Sequence, residues 1–210
     1  DIYLEFFRER FSVVNYEYLI VVDWDKVNFG LTKKAIDSCW KFRGWDVCTA
    51  NQRGPYYDLW ALRCQGWLDW DCHKFFEESR NHGRIRRLYF ENLVKPMFRR
   101  RKPGKWIETA SSFGGIGIYR AKAIGDAVYS EVEVAVCEHV SFHSYLKENG
   151  TKIYINNSLI NGGWTVNARH SIYNWALILI FGKHYGKVKV YIFHLRNWYL
   201  ASKLRTLMTR

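Results

Sequence analysis

Tyr18-Leu19-Ile20-Val21-Val22-Asp23-Trp24-Asp25 is the stretch on which the reading of this chain turns. A short apolar run rich in β-branched residues leads straight into two carboxylates separated by one residue. Such a run predicts a strand over residues 17–23, buried on both faces of a sheet. Its acids then emerge at the carboxyl end, where open α/β sheets form their ligand crevices. Two acids spaced i, i+2 can converge on one hard cation, and that cation can hold a diphosphate. The plainer alternative makes Asp23 and Asp25 ordinary turn acids.

Working outward, helical and strand patterns alternate. Residues 2–11 predict a helix with Ile2, Phe6 and Phe7 on one side. Lys33 to Phe42 predicts another, with Ala35, Ile36, Cys39 and Trp40 at helical spacing. Trp45 to Ala50 reads as a strand and Asn51 to Asp58 as a loop around Gly54-Pro55. Residues 72–82 and 84–95 read as partly helical, and Arg99 to Lys105 as a basic loop. Ser112 to Tyr119 reads as a strand or turn. Val140 to Lys147 predicts a helix and Lys152 to Ile155 a short strand. This alternation argues for an α/β sheet flanked by helices rather than a bundle or a sandwich.

Three further groups bear on chemistry. In Cys137-Glu138-His139-Val140-Ser141-Phe142-His143, a Glu at a helix start can act as general base toward a hydroxyl. His139 and His143 share a helical face, either as a metal pair or as packing. In Ser112-Phe113-Gly114-Gly115-Ile116-Gly117-Ile118-Tyr119, the paired glycines permit positive φ and close backbone approach. That segment matches neither G-x-G-x-x-G nor a P-loop, and a tight bend between strands is the alternative. Asn161-Gly162-Gly163-Trp164 precedes His170, which gains meaning only if the fold brings it near Asp23 and Asp25.

Composition bounds the rest. The chain has 210 residues, 48% hydrophobic and 25% charged, enough for one sizeable core or two small ones. Its net charge of +12 favours polyanions, anionic membrane surfaces or phosphorylated ligands. The aromatic share of 18% suits sugar faces, nucleic-acid stacking and ordinary cores alike. Nucleic acid is disfavoured because no finger, basic zipper or RNP-like motif is present. Five cysteines without C-x-x-C or zinc-site spacing read as reduced, buried thiols, which suits a cytoplasmic protein. The apolar run Trp175 to Phe181 is far short of the ~20 residues of a membrane-spanning helix. No signal peptide opens the chain, which starts without Met and reads as a processed or excised fragment. Asn149-Gly150-Thr151 and Asn156-Asn157-Ser158 match glycosylation acceptors, a pattern common by chance. Bases at 99–105 and 183–210 suit peripheral contact with an anionic membrane. For the basic, aromatic segment 171–210 the alternatives are an amphipathic lipid-facing surface or a helical pair covering the sheet.

Together these residues resemble a family. Val22-Asp23-Trp24-Asp25 looks like the D-x-D motif of GT-A-fold glycosyltransferases. Thr49-Ala50-Asn51 followed by Tyr56-Tyr57-Asp58-Leu59-Trp60-Ala61-Leu62-Arg63 resembles a group of such enzymes in bacteria and large DNA viruses. Phe113 to Arg120, Cys137 to His143, and Ile155-Asn156 leading to Ile160-Asn161 recur there in the same order. The resemblance covers residues 15–170 and implies a metal-dependent transferase that uses a nucleotide-sugar donor and a glycan, lipid-linked or other hydroxyl acceptor. It implies that Asp23 and Asp25, with His170, hold Mn²⁺ or Mg²⁺, and that Glu138 deprotonates the acceptor. Gly114 and Gly115 would line the acceptor side. Asp58 would accept bonds from sugar hydroxyls, Trp60 would pack, and Arg63 would pair with an acid or phosphate. One departure stands out. GT-A enzymes carry two or three β–α units before the D-x-D motif, whereas only the first 22 residues precede Asp23 here. The resemblance thus implies a GT-A-like mixed sheet over 1–170, incomplete at its N-terminus, with the base-binding half missing, displaced or supplied by another chain. The rival to an enzyme is a non-catalytic binding domain on the same scaffold.

Overall fold

In the computed structural model, which describes residues 2–11, 16–79, 83–99, 101–129 and 136–193, the opening apolar run forms strand β1, Tyr18–Val22. Before it lies helix α1, Ile2–Phe11. Helix α2, Lys33–Asp37, starts at Thr32, whose hydroxyl accepts the Ala35 N–H, and continues as a 3₁₀ turn, Ser38–Lys41. Strand β2 is Val47–Gln52 and helix α3 is Cys72–Glu78, capped by Asp71. Helix α4, Ile85–Tyr89, passes through a π turn, Phe90–Val94, into α5, Lys95–Met97. Pro96 has no N–H to continue an α-helical ladder, and the widened turn beside it accommodates that loss. Then come β3, Trp106–Thr109; β4, Ile116–Arg120; α6, Ala121–Ile124; α7, Glu138–Glu148; β5, Ile153–Gly162; and α8, Val166–Phe181. Residues 185–193 are helical again.

The five strands form one mixed sheet in the order β1-β4-β2-β5-β3. β4 is antiparallel to both β1 and β2, and β2 is parallel to β5. So β1, β2 and β5 run the same way, and their carboxyl ends lie along one rim. Asp23, Gln52 and Gly162 meet there although they are far apart in sequence. The β2–β5 ladder is irregular at this rim. Between the pairs Thr49–Ile155 and Asn51–Ile160, β2 advances two residues while β5 advances five. The extra residues bulge out and re-aim Asn157 and Ser158.

Alternating residues of each strand serve opposite faces. Val47, Tyr119 and Ile153 pack under α1, α6 and α7 with Leu4, Phe7, Ile124, Phe142 and Leu146. Cys48, Ile118 and Leu159 pack under α2 with Ala35, Cys39 and Trp45. A further cluster joins Tyr56, Leu62 and Leu68 to α3, α4 and α8.

Several expectations change. β1 is an edge strand rather than one buried on both faces; one side of its ladder is open, and Ile20 and Val22 are 50% and 42% exposed. α1 buries Leu4 and Phe7 and leaves Ile2 and Phe6 outside. β3 falls in a stretch for which the sequence pattern predicts no element, while β5 runs on well past the expected end at Ile155, to Gly162. The division at residues 170 and 171 falls inside α8, and Leu177, Ile178 and Tyr185 join the same core as Tyr56 and Ile155. The described part of the basic segment packs onto this core through Leu177, Ile178 and Tyr185 and leaves Ile180, Val190, Tyr191 and Phe193 exposed; Arg196, Trp198, Tyr199, Lys203, Arg205 and Arg210 lie outside the described residues. Among the described residues, no helix is long and apolar enough to cross a membrane. All five cysteines are buried free thiols. Asn156 is fully buried with its amide on the Ser38 hydroxyl, so its acceptor pattern is inaccessible in the fold.

Trp45 locks the second face. It is 1% exposed, its indole N–H donates to the Cys39 carbonyl at 2.7 Å, and its ring stacks toward Trp106 beneath the Arg120 guanidinium. Trp45→Ala should cost about 3–5 kcal/mol in urea unfolding, through lost apolar burial plus a cavity. A loss below about 1 kcal/mol would contradict this packing role.

Candidate functional site

The site grows from the glycine turn that precedes β4. Gly114 and Gly115 have φ of +68° and +89°, conformations that L side chains rarely adopt. A Cβ on Gly114 would stand 2.7 Å from the Ala50 carbonyl oxygen, and one on Gly115 2.6 Å from a Val27 methyl. The turn aims two carbonyls at the rim. The Gly115 oxygen accepts the Asp23 N–H at 2.9 Å and the Asn28 side-chain amide at 2.8 Å. The Gly114 oxygen accepts amides from Gln52 at 3.0 Å and Asn161 at 2.7 Å. Asn28, Gln52 and Asn161 thereby bind the ends of β1, β2 and β5 into one unit.

Asp23 follows β1 directly and is partly buried. The Tyr57 hydroxyl donates to its Oδ2 at 3.3 Å. Burial raises its pKa above the ordinary carboxylate value, and the Asp25 charge adds to the rise. Trp24, between the two acids, is 95% exposed, and Asp25 is exposed. Lys26 at φ +70° turns the chain away after them. Glu138 opens α7, where a negative charge meets the positive end of the helix dipole. Asp23 and Glu138 line the same cleft of about 870 Å³, which runs along the open edge of β1 between Tyr3, Phe6, Tyr18 and Phe113. The Glu138 charge reaches both Asp23 and Asp58.

Other expected site residues take more definite positions. Asp58 accepts the Gly114 N–H on Oδ2 at 2.7 Å and the Ala61 N–H on Oδ1 at 3.3 Å. Both oxygens hold backbone, so Asp58 fixes the glycine turn; burial pushes its pKa up to about 6. Arg63 pairs with Asp71 at 2.6 Å and caps the carbonyls of Trp60 and Leu62. Trp60 is 41% exposed beside the His73 ring. His170 is exposed on α8, and the charge it feels is that of Lys189. Among the described residues, no three His, Cys, Asp or Glu side chains are gathered closely enough to hold a metal ion. Asp23, Asp25 and His170 therefore do not form a three-ligand set. The two acids present hard oxygen donors, which fit a cation that keeps waters or substrate oxygens for its remaining positions.

The His139–His143 pair is packing, not ligation. His143 is fully buried, with Nδ1 bonded to the Ser111 hydroxyl at 2.9 Å and Nε2 to the Tyr119 hydroxyl at 3.0 Å. His139 stacks on Phe113 at 3.9 Å between ring centres. This clasp seats α7, and hence Glu138, against the glycine turn. Spacing did not single out Asn28, Gln52 or Tyr57; the available signal was polar side chains at the carboxyl ends of apolar strands.

No protein-family model matches the chain, and no curated protein compared with it gives a match.

The clasp has a pH signature. Burial lowers the His139 pKa to about 4, against about 6.5 unfolded. Between those values the unfolded chain holds more protons, so this contribution is fully present above pH 6.5 and is lost as pH falls toward 4. Asp58 acts oppositely: its raised pKa imposes a penalty above pH 6 that is relieved as pH falls. Comparing His139→Phe with the parent isolates the histidine. The variant should gain about 3 kcal/mol relative to the parent between pH 7 and pH 4. A pH-independent difference would contradict the buried neutral imidazole.

Proposed function

We propose that the chain is a metal-dependent glycosyltransferase domain acting on a nucleotide-sugar donor and a hydroxyl acceptor. The observation that carries this reading is the shared cleft: Asp23, at the end of β1, and Glu138, at the start of α7, line one concave surface. The finer likeness to a GT-A sheet belongs to the same proposal, as does contact with a glycan or lipid-linked acceptor. Mn²⁺ or Mg²⁺, when bound, would neutralise charge developing on the leaving diphosphate.

This chain's own residues divide the remaining tasks. Asp23 and Asp25 would hold the cation, and the cation would in turn bind the diphosphate. Tyr57 keeps its proton, because burial and the neighbouring acids push its pKa far up, so it orients Asp23 as a hydrogen-bond donor. Tyr3, Phe6, Tyr16 and Tyr18 give the cleft an aromatic wall suited to the donor base. Glu138, with its side chain 56% exposed, accepts the proton of an incoming hydroxyl.

Two variants test the assignment. Asp25→Asn should weaken metal-dependent binding of a nucleoside diphosphate at least tenfold by calorimetry, with the fold intact by circular dichroism. Glu138→Gln should keep that binding and lower sugar transfer by ~10²-fold or more, the usual contribution of a general base. Undiminished transfer in excess EDTA would overturn the metal role. Metal-dependent donor binding with neither transfer nor donor hydrolysis would leave a non-catalytic binding domain.

A further inference from the structure

A second cleft opens on the same rim and is built for negative charge. It lies where β2 and β5 end, against α2 and the segment around residue 101, and encloses about 1010 Å³. Lys34, Lys41, Arg53, Arg99, Arg101 and Lys102 line it, and no Asp or Glu does. Among the described residues, none of the six pairs with a carboxylate. Unneutralised positive charge in a concave wall focuses the field and raises the local concentration of anions. Arg101 is held in place by the Gly54 and Arg99 carbonyls and by the rings of Tyr56 and Trp67, and its buried Nε has no partner in the fold.

Charge is half of the pattern. Asn51 and Gln52 also line the cleft, and they are 3% and 2% exposed. The side-chain oxygen of each is buried with no hydrogen-bond partner in the fold. Their amide nitrogens are spoken for: Asn51 donates to the Asn157 oxygen, and Gln52 to Gly114 and Asn161. An orphaned buried acceptor is satisfied once a small side-chain shift brings it to a donor from whatever fills the cleft. A bare fully ionised phosphate has acceptors alone, so the fitting ligand carries hydroxyls as well as negative charge. The third wall is aromatic. Trp164 and Phe98 are each 47% exposed and pack 5.8 Å apart between ring centres at a tilt of 57°, offering an apolar aromatic wall. Bases, hydroxyl-accepting amides and an aromatic face together describe the surface of an acidic sugar. A single nucleic-acid strand would instead call for successive open stacking platforms, whereas these two rings lie against each other.

We propose that this cleft binds an acidic saccharide, one bearing phosphate or carboxylate groups, as the acceptor of transfer; the acceptor role alone rests on the transferase reading above. The connection between the two clefts is direct. Gln52 reaches the Gly114 carbonyl, and the adjacent Gly115 carbonyl holds the Asp23 N–H. A saccharide seated on Gln52 is therefore one glycine pair away from the acids.

The test is calorimetry on the full chain in EDTA without donor. The probes are tetragalacturonate and its methyl ester, a hexose 6-phosphate and its parent hexose, and an oligouridylate matched in charge to the tetragalacturonate. Either or both acidic saccharides should bind at least tenfold tighter than the neutral counterpart, and binding should weaken with salt. Which of the two binds tells carboxylate from phosphate. Combining Arg53→Gln with Lys102→Gln, both exposed positions, should lower that affinity at least tenfold. Lys122→Gln with Lys152→Gln, on the opposite rim, should leave it unchanged. Equal binding of charged and neutral saccharides, or no loss in the Arg53/Lys102 variant, would overturn the proposal. So would oligouridylate binding more tightly than either saccharide, which would make the cleft a nucleic-acid groove. With metal and donor omitted, the two readings separate. Acidic-saccharide binding without transfer would remove the transferase and keep the site. Transfer to neutral acceptors, undiminished in the Arg53/Lys102 variant, would do the reverse.

Discussion

Two adjacent glycine carbonyls organise this molecule. The Gly114 and Gly115 oxygens collect amides from β1, β2 and β5 and from the turn after Asp23, while the Gly114 N–H is held by Asp58. Strands that run the same way share a rim, but their ends splay unless something joins them. Here backbone carbonyls do the joining, and they reach far enough because positions 114 and 115 carry no Cβ. The positions of Asp23, Gln52 and Asn161 all follow from this turn.

Around it the electrostatics divide. Burial, with the charges of neighbouring acids added, raises the proton affinity of Asp23 and Asp58 on one side. Six bases line a concavity on the other. Like charges this close are relieved by protons or by a cation, and an acid-free basic cleft is relieved by an anion. Such a gradient across one rim suits a reaction that gathers a diphosphate at one end and an acidic group at the other. The histidine clasp beneath α7 carries no charge at neutral pH. It fixes where Glu138 stands without altering that balance.

Sequence alone located the rim and missed how it is held. The run from Tyr18 to Val22 is legible as a strand because β-branched apolar residues fit a pleated surface. It does not reveal an edge, since exposure depends on which strands pair beside it. Asp23, Glu138 and the glycine pair were legible from residue type at element ends. Asp58 and Arg63 were legible as polar residues of consequence, but their partners, the Gly114 amide and Asp71, follow from packing between distant segments. His170 illustrates the opposite error: a histidine at a plausible distance in sequence lies exposed on α8 and joins no three-ligand set with Asp23 and Asp25. The basic cleft escaped notice because its charges come from α2, the end of β2 and the segment after α5, which composition sums without locating.

The proposed cation site at Asp23 and Asp25 requires nearness to Glu138, with which Asp23 shares a cleft. Nuclear magnetic resonance with Mn²⁺ as a paramagnetic probe tests it most directly. In the presence of a nucleoside diphosphate, substoichiometric Mn²⁺ should broaden the amide signals of Asp23, Asp25, Gly115 and Glu138 while sparing Lys122 and Lys152 on the opposite rim. Broadening centred on His170, or uniform weak broadening with no response at Gly115 and Glu138, would contradict the account.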